Sequence, residues 1–185
     1  MFRSVLSIFF ILLVIVLGCK KDDPIIPNEE EIITSLKYTL TPVGGGNTVL
    51  LSFKDLDGDG GNSPVIMSGK LSRNTTYLGS LELLNEQESP VGNITNEIEM
   101  ENKDHQFFFT VSGGLSLTVS YDDTDGNGKP VGLKTRLTTT VASAGKLTIT
   151  LRHLPDKSAP GVASGNIANA GGDTDIEVNF EVNVE

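Results

Sequence analysis

Ile176-Glu177-Val178-Asn179-Phe180-Glu181-Val182-Asn183-Val184 alternates apolar and polar residues without a break. A period of two puts every second side chain on one face, so this segment reads as a strand with one buried and one wet side. The same pattern recurs along the chain. Leu36, Tyr38 and Leu40 alternate with Ser35, Lys37 and Thr39; Leu115, Leu117, Val119 and Tyr121 alternate with Ser116, Thr118 and Ser120; Leu147, Ile149 and Leu151 repeat it. Gly, Asn, Asp and Pro clusters separate these runs at the spacing of a β-sandwich or barrel. The expected fold is all-β, an immunoglobulin-like or related sandwich of eight to ten strands. Ile94 to Met100 is the one ambiguous stretch, because Ile94 and Ile98 fit a helix whereas Ile98 and Met100 fit a strand.

The segment Val43–Gly60 lies over Val111–Gly128 without a gap, and shorter matches follow in order: Gly79-Ser-Leu81 with Gly145-Lys-Leu147, Asn93-Ile94 with Asn166-Ile167, and Ile98-Glu-Met100 with Ile176-Glu-Val178. An ordered series of this kind points to a tandem duplication, with repeats at roughly 34–101 and 106–178. A unit of that length is marginal alone. Two of them packed face to face predict one pseudo-two-fold sandwich over 32–185.

Each repeat carries an acidic loop. Asp55-x-Asp57-Gly-Asp59-Gly60 and Asp123-x-Asp125-Gly-Asn127-Gly128 match the first half of a calcium loop, with oxygen ligands at alternate positions and a Gly for the turn. The twelfth position is Ile66 in one and Lys134 in the other, so the bidentate Glu of an EF-hand is missing. The pattern predicts a weak calcium site in at least one loop, the first ahead with its three carboxylates. The competing reading is a pair of hairpin turns, for which Asp-Gly and Asn-Gly are favoured in their own right. The chain's two histidines are a second candidate. His105 follows Glu101 and Asp104 at the head of a strand and His153 closes another, so imidazoles with carboxylates nearby suggest zinc or copper. Phe107-Phe108-Phe109 reads as a strand buried on both faces, with a ligand-facing aromatic platform as the alternative.

At the other end, Arg3 precedes an almost unbroken apolar run from Val5 to Leu17. That run is short for a membrane span and reads as a signal-peptide core, residues 1–18. Leu17-Gly18-Cys19 resembles the bacterial lipobox, which implies lipidation of Cys19 and stable anchoring by several acyl chains. Residues 19–31 then form a polar, proline-bearing tether that reaches up to about 40 Å when extended. Lys20 in place of an Asp after the cysteine favours the outer membrane. Lys20-Lys21-Asp22-Asp23 resembles a cell-surface export signal, with a periplasmic-facing linker as the alternative.

From Cys19 onward 13 bases face 24 acids, a net charge near −11. Nucleic acid is excluded as a partner, since binding it requires a basic surface. A lone cysteine excludes disulfide scaffolds and all-cysteine zinc sites. No phosphate-binding loop, serine elbow or cysteine nucleophile is present.

Leu17-Gly-Cys19-Lys-Lys-Asp-Asp23, Ser52–Gly61, His105–Phe109 and Leu151–Lys157 together resemble a group of small lipoproteins of Gram-negative outer membranes. Some of that group carry the label "type 1 periplasmic binding fold", which implies doubly wound α/β lobes; this chain has no βαβ pattern. The resemblance implies association with TonB-dependent receptors. Three functions follow as expectations. The first is a non-enzymatic surface lipoprotein that binds a ligand or partner, as accessory to an outer-membrane transporter. The second is zinc capture through His105 and His153. The third, polysaccharide chemistry, is disfavoured by the absence of Trp for sugar stacking. Leu71–Tyr77 also resembles the tyrosine corner of immunoglobulin-like domains, where a Tyr hydroxyl bonds to upstream backbone.

Overall fold

The computed structural model describes residues 31–58 and 60–185. The segments expected to be signal peptide and tether, with Cys19, and Asp59 lie outside the described residues. Ten strands form two sheets packed against each other. In chain order they are β1 (Ser35–Pro42), β2 (Val49–Lys54), β3 (Val65–Ser68), β4 (Lys70–Leu71), β5 (Thr76–Leu84), then helix α1 (Ile94–Met100), β6 (His105–Ser112), β7 (Leu117–Tyr121), β8 (Lys134–Thr139), β9 (Ser143–His153) and β10 (Asp173–Val184). One sheet has the order β3-β2-β1-β5-β8-β7 and the other β4-β10-β9-β6. Among the described residues no helix is long and apolar enough to cross a membrane.

The alternation read from the sequence is the alternation that builds the core. Leu36, Tyr38 and Leu40 of β1, Leu147, Ile149 and Leu151 of β9, and Val178, Phe180, Val182 and Val184 of β10 are buried in one cluster between the sheets. Each such side chain contributes about 1.5–3 kcal/mol of burial. At one edge the chain changes sheets through Gly69, between β3 and β4. A Cβ there would sit 2.5 Å from Val49 Cγ1 and 3.4 Å from the Leu50 carbonyl oxygen, so the close approach requires glycine. Tyr77 is the corner expected: buried in β5, its hydroxyl accepts the Ser72 N–H at 2.8 Å.

Ile94–Met100 is a helix, the first of its two readings. Asn93 caps it by accepting the Asn96 N–H, Ile94 and Ile98 are buried, and Met100 is exposed. Thr95 ties the helix to β5, its hydroxyl accepting the Leu83 N–H at 2.7 Å. Phe107 enters the main core. Phe108 points the other way, into a small cluster with Val162 and Ala170 from the 154–172 segment, so β6 is buried on both faces.

Two equivalent halves are not shown. β1 and β2 are a hairpin in one sheet, whereas the matching β6 and β7 fall in different sheets. Ile98–Met100 is helical and the matching Ile176–Val178 is strand. The sequence similarity is therefore not carried into a pseudo-two-fold arrangement. The 154–172 segment covers the outer face of β6 and buries Phe108, whereas the outward-facing Lys37 of β1 pairs with Glu82 at the surface.

Candidate metal centre

β6 and β9 are antiparallel neighbours, and their register sets His105 opposite His153. Both lie at the same end of the sandwich, continuing the inward rows Phe107–Phe109 and Leu151–Ile149. The rings stack with centroids 4.7 Å apart and planes 8° from parallel. β10 runs on the other side of β9 and sets Asp173 opposite His153, but its register shifts between Thr174 and Ile176. The extra residue is Asp175. A bulge re-aims the side chain it carries, and here the Asp175 carboxylate is enclosed, with Oδ2 at 3.7 Å from His105 Nε2.

These three side chains bring one potential ligand atom each within 4.8 Å of one another. A second trio, Glu31, Glu101 and His105, meets the same condition and shares His105. Glu101 closes α1, Glu31 opens the described chain, and Glu97 lies one helical turn before Glu101. Five parts of the chain thus converge on one end of the fold. The sequence signalled His105, His153 and Glu101; it gave no signal for Asp175, because a bulge is not visible in an alternating pattern, nor for Glu31, which reads as tether.

The electrostatics favour a cation. Burial lowers the affinity of His105 for a proton and the neighbouring His153 lowers it further, although the Glu101 carbonyl and the charges of Glu101 and Asp104 oppose this. The ring is therefore held neutral, the form that ligates metal. Its Nδ1 lies 3.2 Å from the Glu101 carbonyl oxygen. A hydrogen bond at Nδ1 leaves Nε2 with its lone pair, an arrangement common to metal-bound imidazoles. His105 Nε2 and His153 Nδ1 are both buried without a hydrogen-bond partner. Glu31 is pushed up to about 7 by burial, by its hydrogen bond with Glu97, and by the charges of Glu97, Glu101 and Asp175. Carboxylates gathered in this way repel one another unless a cation sits between them.

The residues fit zinc in type and nearly in geometry. Two ligands of a tetrahedral ion with bonds of about 2.0–2.1 Å lie roughly 3.4 Å apart, close to the 3.7 Å between His105 and Asp175. Parallel stacked rings cannot aim in-plane lone pairs at one point, so chelation by both imidazoles requires one ring to turn out of the stack. His153 is the more exposed of the two, and its ring is the one that would have to turn.

The acidic loops are organised differently. In the first, Asp55 Oδ1 accepts the Gly58 N–H at 2.9 Å, and Asp57 Oδ2 accepts the Asn62 N–H at 2.9 Å and its side-chain amide at 2.7 Å. In the second, Asp123 accepts the N–H groups of Gly132 and Lys134, and Asp125 Oδ1 accepts those of Asn127 and Lys129. Asp125 Oδ2 accepts a hydrogen bond from the buried Lys157 ammonium at 3.0 Å. Asn127 supplies its backbone to this turn. Every carboxylate oxygen of the second loop is thus engaged by the protein's own donors. The metal-type groupings among the described residues lie at the histidine end instead.

Fold and site together define an all-β sandwich with a histidine–carboxylate cluster at one end. Comparison with known protein families, with characterised proteins and with solved structures finds no match to this chain.

Proposed function

We propose that the protein is a non-enzymatic, lipid-anchored sandwich of the outer membrane that captures a divalent transition metal, zinc first, at His105, His153 and Asp175. The observation that carries the reading is the convergence of two histidines 48 residues apart with a bulged aspartate, leaving His105 Nε2 and His153 Nδ1 buried without hydrogen-bond partners. Such atoms are rare in folded proteins and ask for an explanation. The anchor rests on Leu17-Gly18-Cys19, and the accessory role beside a TonB-dependent transporter rests on the resemblance to outer-membrane lipoproteins.

Zinc titration of the detergent-solubilised chain, followed by calorimetry and by metal analysis after gel filtration, tests this. We expect one zinc per chain, and loss of binding in His105→Ala and in His153→Ala. Zinc binding that survives both replacements together would remove the site. Recovery of a transporter in complex with the gently extracted lipoprotein supports the accessory role, and its absence from such extracts sinks that role without touching zinc binding.

A further inference from the structure

We propose that the seam between β6 and β7 is a second binding site, for an organic cation whose aromatic body lies on Phe109 and Tyr121 and whose ammonium faces Asp122 and Asp123. β6 ends the four-stranded sheet and β7 ends the six-stranded one, so these consecutive strands are not hydrogen-bonded neighbours. Phe107 and Phe109 share the inward face of β6, yet Phe107 is fully buried and Phe109 only half-buried. Val119 and Tyr121 of β7 are half-buried too. Together these three half-buried side chains floor a cleft of about 370 Å³, walled by Ala163, Ser164 and Gly165. The floor is held in place from behind. The Tyr121 hydroxyl donates to the Phe107 carbonyl at 2.7 Å and accepts from Gln106 Nε2 at 3.1 Å. The same buried nitrogen donates to the Val162 carbonyl at 2.9 Å, which ties the wall to the floor. Gly165, at φ +90°, keeps the wall off the ring: a Cβ there would lie 3.5 Å from the Tyr121 hydroxyl.

Shape and charge select the ligand together. Phe109 and Tyr121 stand edge to face, with centroids 6.3 Å apart and planes at 63°, and Tyr38 backs Phe109 at 5.7 Å. Rings fixed in this way present a rigid surface to a flat apolar group. A second cleft of about 470 Å³ shares Tyr121 and Ala163 with the first and adds Asp122 and Asp123. Volumes of this order are those of small-molecule sites. Among the described residues no Lys, Arg or His lines either cleft. Asp123 accepts the N–H groups of Gly132 and Lys134, which fix its position and leave its charge in place. Asp122 has Arg136 at 3.6 Å in an exposed pair, and pairs of that kind are weak enough to be exchanged. The negative field reaches the floor: burial pushes the Tyr121 hydroxyl up to about 12, the Gln106 hydrogen bond opposes this, and the charge of Asp123 adds to it. Such a site repels an anion. It draws a cation, which also gains from the face of the tyrosine ring.

The experiment uses the full chain in detergent micelles, with protein-free micelles as the blank. The probe is 2-phenylethylamine; 2-phenylethanol is its neutral counterpart and 3-phenylpropionate its anionic one. Binding is read by saturation-transfer NMR and by titration of tyrosine fluorescence. We expect the amine to bind with a dissociation constant of about 1 mM or tighter, the alcohol to bind at least about threefold more weakly, and the acid more weakly still. Ala163→Leu changes an exposed wall residue and fills the cleft without touching the core; it should weaken the amine at least about tenfold. Phe109→Leu keeps an apolar side chain and removes the ring, and should weaken the amine and the alcohol alike. Asp122→Asn should weaken the amine and leave the alcohol unchanged. Absence of amine binding in the parent chain overturns the proposal. So does equal binding of the three probes that Ala163→Leu leaves unaltered, since that is partition onto apolar surface, and so does a preference for the acid.

Discussion

The second acidic loop and the histidine end both gather groups that a cation would seek, and they differ in what already faces those groups. At the loop, Asp125 is met by two backbone N–H groups and by Lys157, whose ammonium also donates to the Asn102 carbonyl at 2.6 Å. Positive charge is supplied from within the chain, 32 residues away in sequence. At the histidine end the groups acting on Glu31 are the carboxylates of Glu97, Glu101 and Asp175, and those acting on His105 are His153 and the carboxylates of Glu101 and Asp104. The comparison teaches that a carboxylate-rich turn is evidence for a metal only after the protein's own donors have been counted. Its sequence pattern was the stronger of the two, and its chemistry is the more complete without an ion.

Removing the internal cation's partner should give the largest effect. Asp125→Ala leaves Lys157 buried without its carboxylate and should destabilise the fold by about 3–5 kcal/mol in denaturant unfolding. Asp125→Leu with Lys157→Met should recover most of that loss, since an apolar pair of similar volume replaces a buried ion pair at little cost. A double variant as unstable as the single one would mean that the amides of Asn127 and Lys129, and not Lys157, give Asp125 its importance. The same pair predicts a pH response. Burial pushes the Asp125 carboxyl up, but the N–H groups of Lys129 and Asn127 and the Lys157 ammonium outweigh it and hold the group below the usual carboxylate range. A depressed folded value means that its stabilisation is complete above the unfolded value of about 3.9 and is lost as pH falls through the lower folded one. The parent should therefore lose stability in acid below about pH 4 more steeply than Asp125→Asn does.

Zinc should act at the other region with an intermediate effect. At a hundredfold excess over its dissociation constant a ligand adds about 2.7 kcal/mol to the folded state. The parent should show a zinc-dependent rise in melting temperature, and His105→Ala should not. Asp125→Leu with Lys157→Met should keep most of the rise. If it does not, the loop is needed to position the site through Asn102, which receives Lys157 and whose side-chain oxygen accepts the Gly126 N–H at 3.3 Å.

How much of this was legible follows from what each signal depends on. The strands were legible because Val178, Phe180 and Val182 must face one way for β10 to bury them, and period two records that directly. Phe108 was legible as a buried residue on the second face of β6, but not what covers it. The metal centre was half legible. His105 and His153 stood out as the chain's two histidines, yet their meeting depends on the β6–β9 register, a long-range property that no local pattern encodes. Asp175 depends on a single inserted residue in β10. The repeat misled because matched segments need not share partners: β7 resembles β2 in sequence and packs beside β8, while the strand preceding it joins the opposite sheet.

The smallest effect separates the two loops themselves. Among the described residues of the first loop, Asp55 accepts through Oδ1 and Asp57 through Oδ2, and the second oxygen of each lies outside those hydrogen bonds. The N–H and side-chain amide of Asn62 hold the Asp57 carboxyl below the usual range, which keeps it charged at neutral pH. Calcium seeks six to eight oxygens, and a loop offering a few binds it weakly, in the range of about 10⁻⁴–10⁻³ M for extracellular modules. Calcium at about 1 mM should therefore raise the melting temperature only slightly, by less than zinc does, and Asp57→Asn should abolish that rise. The second loop should contribute nothing, because calcium would have to displace Lys157 from Asp125 and leave a buried ammonium behind. A calcium response as large as that of zinc, unchanged by Asp57→Asn and lost in Asp123→Asn, would reverse the order of the two loops. It would also show that Lys157 can swing away from Asp125 at little cost, against its burial and its bond to Asn102.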